Sequence, residues 1–233
     1  MINSYIALDL EMTGLNPATD RIMEIGAARV IDGQIEETLS TLVNPQVPLS
    51  DKVMDLTKIT PQMLQGKPLI EDVIEQLVIF TQGLPLLGHN IIFDYSFIKK
   101  AAVNHKLKFE RDGIDTLKIA RRVLPDLEHK RLEDLCTYFA IDPGNNHRAL
   151  DDALSAMQVY QKLYQADPQD KGFSETIKLH YNVKRDTPIT PRQVTFLSEL
   201  LEKHQIVLEA DIKSLTKSQA SRMIDKIRAT YGK

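Results

Sequence analysis

The chain has 233 residues, 42% of them hydrophobic and 26% charged, proportions ordinary for a globular protein with room for a sizeable core. Its net charge of −3 is unevenly spread: residues 1–165 carry 17 Lys and Arg against 23 Asp and Glu, and residues 166–233 carry 12 against 9, so the acidic larger part argues against holding duplex nucleic acid by broad phosphate neutralisation. A single cysteine, no apolar run of bilayer-spanning length and no signal-like N-terminus exclude a disulfide framework, a cysteine zinc cluster and a membrane span, and point to a cytoplasmic setting.

The first element is an apolar run, Tyr5 to Met12, rich in strand formers and closed by the turn signal Thr13-Gly14. Side chains alternate along a strand, so Tyr5, Ala7, Asp9 and Glu11 share one face and Ile6, Leu8, Leu10 and Met12 the other. Asp9 and Glu11 then stand side by side, about 7 Å apart at Cα. Like charges so placed raise each other's pKa and repel unless a cation lies between them. The pair is either a metal-ligand set or a strand end with two solvated acids. After a turn at Asn16-Pro17 and Asp20, Arg21 to Ile31 is a second strand with Gly26 inside it. Asp32-Gly33 is a hairpin signal, and Gln34 to Val43 is the returning strand, stopped by Asn44-Pro45 and Pro48.

Residues 51–66 predict a helical turn and a second short helix starting at Thr60-Pro61. Ile70, Val73, Ile74, Leu77, Val78 and Thr81 recur at helical spacing across residues 69–82. Leu84 to Leu87 is a short buried strand ending at Gly88, and Ile92 to Val103 is a helix with Asp94 in its first turn. A helix N-terminus alone accounts for such an acid, at about 0.3–1 kcal/mol. Ile114-Asp115-Thr116 reads as a brief strand and an N-cap, opening a helix that runs to about Val123. Leu132 to Phe139 is a short apolar helix in which Cys136 is a small buried hydrophobe. Pro143 to Asn146 is a loop, and Leu150 to Tyr164 is the last long helix of this domain.

The start of that helix separates two neighbouring aspartates. Asp151 shares a stripe with Ser155, Gln158 and Lys162, read as a solvated face. Asp152 shares one with Ala149, Ala153, Ala156, Tyr160 and Leu163. A carboxylate on an apolar stripe is costly unless paired or bound to a metal. His147, just before the helix, reads on its own as an exposed loop histidine.

A three-strand meander followed by alternating strands and helices predicts an α/β fold over residues 1–165, a mixed sheet flanked by helices. Residues 166–189 are polar without periodicity and read as a linker or an extended arm. Residues 190–233 form a small C-terminal helical module: Thr190-Pro191 opens one helix, and Thr216 with Gln219 is a capping box opening the other.

Taken together, Asp9-Leu-Glu-Met-Thr-Gly14, Gly88-His-Asn-Ile-Ile-Phe-Asp94 and His147-Arg-Ala-Leu-Asp-Asp152 resemble, in order and separation, the three motifs of the DEDDh-type 3′–5′ exonucleases, the DnaQ-like family that includes the epsilon subunit of DNA polymerase III. Further likeness runs through Val43-Asn-Pro45, Leu56-Thr-Lys-Ile-Thr60 and Asp115-Thr116, covering roughly residues 4–165. The resemblance implies an RNase H-like fold and two-metal phosphodiester hydrolysis with Mg²⁺ or Mn²⁺. It makes Asp9, Glu11, Asp94 and Asp152 the metal ligands, with Asp9 bridging the ions, and His147 the general base. Met12, Thr13, Gly14, Leu56 and Asn90 would contact the terminal nucleotide of a single-stranded DNA 3′ end. Leu56 and Ile59 serve equally as an apolar wedge or as plain core. A DNA polymerase or a sliding clamp is the implied protein partner, but the clamp-like Gln76-Leu-Val-Ile-Phe80 sits on a helix whose apolar face explains it by burial.

One departure bears on substrate. Proofreading enzymes usually have Thr where this chain has Met12, and Asp-Leu-Glu-Met-Thr-Gly is similar to oligoribonucleases, which degrade very short RNA. The second motif and the segment from Val43 to Thr60 look instead like the polymerase-associated branch, favouring DNA. A non-catalytic nucleic-acid-binding module is the alternative from a different class, and the intact ligand set argues against it.

Overall fold

Strand β1 (Tyr5–Met12) alternates as its sequence requires, with Ile6, Leu8 and Leu10 packed on one face of the sheet and Tyr5 and Ala7 on the other. β2 (Ile22–Ile31) pairs antiparallel with it, and β3 (Gln34–Leu42) antiparallel with β2. The β2–β3 hairpin turns at Asp32 and Gly33, both at positive φ (48° and 79°), the geometry that a right-twisted two-residue hairpin needs. β4 (Leu86–Gly88) and β5 (Asp112–Asp115) continue the sheet in parallel from the other side of β1. The strand order, closed by β6 (Ile177–Lys178), is β3-β2-β1-β4-β5-β6.

This is a computed structural model that describes residues 1–144, 147–208 and 211–232. Two short helices, α1 (Asp51–Thr57) and α2 (Pro61–Leu64), follow the meander. On the Ile6 face lie α3 (Ile70–Phe80) and α4 (Ile92–Asn104). On the Tyr5 face lie α5 (Thr116–Val123), α6 (Leu132–Phe139) and α7 (Ala149–Ala166). The mixed sheet with helices on both faces is the predicted RNase H-like arrangement. Asn145 and Asn146 of the predicted Pro143–Asn146 loop lie outside the described residues. No helix among the described residues is long and apolar enough to cross a membrane.

Of the segment expected to be a linker or an extended arm, residues 166–183 pack with the first of two compact units, which runs from Met1 to Val183. Phe173, in a 3₁₀ turn (Lys171–Phe173), is buried against Tyr160 and Tyr164, and β6 pairs antiparallel with β5. Single apolar anchors such as Phe173 and Leu179 hold this segment, so no periodicity marks it. The Asp151 stripe, expected to be a solvated face, needs correction, since Ser155 is buried within it.

The second unit, Lys184–Lys233, contains α8 (Pro191–Lys203), opened by Thr190 with Pro191 as expected and closed into a capping box by Gln193, and α9 (Lys217–Tyr231), opened by the predicted Thr216–Gln219 capping box. Leu197, Leu200, Leu201, Ala220, Ile224 and Ile227 form its own small core.

Candidate active site

Three elements converge at the C-terminal end of β1. Asp9 and Glu11 project from the face that meets α7, opposite Gly26 and Glu24 of β2. Gly26 is what lets α7 come close: a Cβ there would fall 2.1 Å from the backbone of Ala149 and Leu150. The tight approach brings Asp152 and His147 to the strand end, where Glu11, His147 and Asp152 offer ligand atoms within 4.8 Å of one another. His147 itself sits at φ 64°. Asp94, buried in the first turn of α4, is tied to the same place, because its Oδ1 accepts from the backbone N–H of Leu10, between the two β1 acids, at 3.2 Å.

The electrostatics are those of a site short of positive charge. Burial, and then repulsion from Asp94, Asp152, Glu11 and Glu24, holds the Asp9 carboxyl well above the ordinary range. Burial pushes Glu11 and Asp94 up to about 8 and Asp152 to about 6, with repulsion from Asp152 adding to the rise at Glu11. The nearby guanidinium of Arg148 lowers Glu11 somewhat, but it is engaged by Glu24. Carboxylates crowded and desolvated in this way fit a divalent cation, with the all-oxygen donor set that Mg²⁺ or Mn²⁺ prefers.

Glu24 and Arg148 join the site without having been singled out by sequence. Glu24 is buried inside β2, and it accepts from Arg148 Nη2 at 2.7 Å, from Nε at 3.0 Å, and from the backbone N–H of Ala149 at 3.3 Å. The signal was present: a lone carboxylate inside the apolar run Ile22–Ile31 needs a buried partner. A second buried acid, Asp115, caps α5 through Leu117 and Lys118 and accepts from the Asn90 N–H at 3.1 Å. Thr116 donates to the Gly88 carbonyl and bonds His89 Nδ1 at 3.0 Å, pinning the turn that delivers Asp94.

Of the predicted nucleotide contacts, Met12 is half-buried beyond a register shift that follows Glu11. Thr13 Oγ1 accepts from the Arg21 N–H at 2.9 Å, and Gly14 packs against the Asp20 carboxylate, leaving no room for a Cβ. Asn90 is exposed, at φ 65°. Leu56 is exposed as a wedge requires, whereas Ile59 is fully buried with Met23 and Leu64 and is core. In the clamp-like segment Leu77 is buried and Val78 partly buried, on the apolar face of the helix.

The family model described as exonuclease matches residues 6–160. The chain belongs to this exonuclease family. The chain is 32% identical over 183 residues to the DNA polymerase III subunit epsilon of Aquifex aeolicus, covering 78% of this chain and 89% of that one. It is also 36% identical over 159 residues to the PolC-type DNA polymerase III of Caldanaerobacter subterraneus subsp. tengcongensis, covering 68% of this chain but only 11% of that polymerase. The chain thus spans about a tenth of the length of the PolC-type relatives it matches. Among solved structures, E. coli exonuclease I in complex with a dT13 oligonucleotide superimposes with a TM-score of 0.63 at 18% identity, over 72% of this chain and 42% of that one. That likeness establishes the fold.

Proposed function

We propose that this exonuclease removes nucleotides from the 3′ end of single-stranded DNA, releasing nucleoside 5′-monophosphates, with two divalent cations, Mg²⁺ or Mn²⁺, held by Asp9, Glu11, Asp94 and Asp152. The observation that carries the reading is the meeting of Glu11, Asp152 and His147 within 4.8 Å, beside Asp9 and Asp94. Such cations would neutralise the carboxylates and stabilise charge on the attacking and leaving oxygens. Asp9, at the centre of the acidic group, would serve both ions, Glu11 and Asp152 one of them, and Asp94 the other. His147, as general base, would take the proton of the attacking water on a ring nitrogen, a task suited to an imidazole near neutral pH. Met12, Thr13, Gly14, Leu56 and Asn90 would line the terminal nucleotide.

The likeness to an epsilon subunit supports a proofreading- or repair-type role beside a DNA polymerase, in the cytoplasm, with residues 1–183 as the catalytic unit. The test is nucleotide release from labelled DNA and RNA 3′ ends, with and without divalent metal. Release should need the metal and favour long single-stranded DNA. A preference for an RNA dinucleotide would move the enzyme to the oligoribonuclease-like reading that Met12 favours. No metal-dependent release on any end would leave a non-catalytic binding module.

A further inference from the structure

The charge of the chain divides at the unit boundary. Residues 1–183 carry 19 Lys and Arg against 26 Asp and Glu, whereas residues 184–233 carry 10 against 6. By net charge the first unit, at −7, therefore repels a polyanion, and the second, at +4, attracts one.

The surface of the second unit has the chemistry to use that attraction. Arg192 and Lys217 are exposed and Arg228 is half-exposed. The Gln193 side chain donates to the Lys217 carbonyl and to Ser221 Oγ, both at 2.9 Å, so Arg192 and Lys217 lie at the same end of the unit. Neither α8 nor α9 has an acid in its first turn. Cations there oppose the helix dipole, so intrinsic helix stability does not account for them. Phe196 projects from α8, 40% exposed, between two shallow grooves. One groove holds Arg192 and the other Arg228, with Glu199 bordering both. An exposed ring with guanidinium groups on either side is the pattern that binds single-stranded nucleic acid, where bases stack on the ring and phosphates meet the cations.

We propose that residues 184–233 are a second nucleic-acid contact that binds a single strand through Phe196 and the cations Arg192, Lys217 and Arg228. Tethered to the catalytic unit, it raises the local concentration of substrate for an enzyme whose own surface is acidic. The proposal rests on the reading of a nucleic-acid strand as substrate, and binding without catalysis tests it separately.

The experiment uses the full chain in EDTA with a fluorescent oligothymidylate of about 30 nucleotides, followed by anisotropy against salt. Replacing Arg192, Lys217 and Arg228 together by Ala should weaken binding about tenfold or more and flatten the salt dependence by about 0.7 logarithmic units for each phosphate-binding cation removed. Phe196→Ala should weaken binding several-fold and leave the salt slope unchanged. Both variants should keep kcat on a labelled dinucleotide while KM for the long strand rises. Unchanged binding in both correctly folded variants overturns the proposal, as does equal affinity of the wild type for polyglutamate, which would assign the surface to an acidic protein. Binding that survives in a chain with no nuclease activity upholds this second strand-binding surface and defeats only the catalytic reading.

Discussion

Arg148 and Glu24, 124 residues apart, form a two-pronged pair at 2.7–3.0 Å that clamps the start of α7 to β2, directly beside Glu11. The residue before Arg148 is His147, so the pair fixes where the imidazole stands. Leaving one partner of a buried ion pair alone costs about 3–5 kcal/mol. The figure is smaller here because the Arg148 side chain is 41% exposed, although Glu24 is only 2% exposed. Arg148→Ala should lower the melting temperature by several degrees and kcat by about tenfold, with KM little changed. The double variant Glu24→Gln, Arg148→Ala should lose less than the two single variants combined. Thermal unfolding and steady-state kinetics check both outcomes.

Two adjacent acids at the start of α7 should behave differently because they face different ways. Asp152→Ala should reduce nucleotide release by about a hundredfold or more, as for loss of a metal ligand, and Asp151→Ala by no more than about threefold. The reverse order in a side-by-side assay would refute the assignment of faces.

The crowded carboxylates make the metal-free protein sensitive to alkali. Their folded-state values, about 8 for Glu11 and Asp94 and about 6 for Asp152, lie above the ordinary 4.5 and 3.8. The folded state thus binds more protons than the unfolded state across this interval, and stability falls as pH rises. The contribution is full below about pH 4 and is lost as pH rises through the folded values. Thermal unfolding in EDTA should show a falling melting temperature from pH 5 to about pH 8, and Mn²⁺ or Mg²⁺ should flatten that decline.

Gly26→Ala places a methyl group 2.1 Å from the Ala149 backbone. Neither backbone gives way cheaply, so the variant should lose about 1–3 kcal/mol or more and shift α7 away from β1. Activity should fall even at temperatures where the fold persists, which circular dichroism and kinetics measured together would establish.

Much of the site was legible because its acids sit where simple periodicities speak. The strand alternation placed Asp9 with Glu11, and the helical repeat set Asp152 apart from Asp151. Glu24 and Arg148 were harder, since their pairing depends on a β1–β2 register that is visible only once the sheet is built. Ile59 was ambiguous because an apolar residue between two short helices reads the same whether it faces a ligand or the core. The segment after α7 was left open between a linker and an extended arm because isolated anchors, Phe173 and Leu179, carry its packing.

That segment also sets where the catalytic unit can be cut. Ending the chain at residue 165 would strip β6 from β5 and empty the Phe173 site between Tyr160 and Tyr164. The bared strand would offer its open backbone groups to other copies, so the shortened protein should clump on expression. Proteases acting on the native chain should leave residues 166–183 attached and make their first lasting nick beyond Val183.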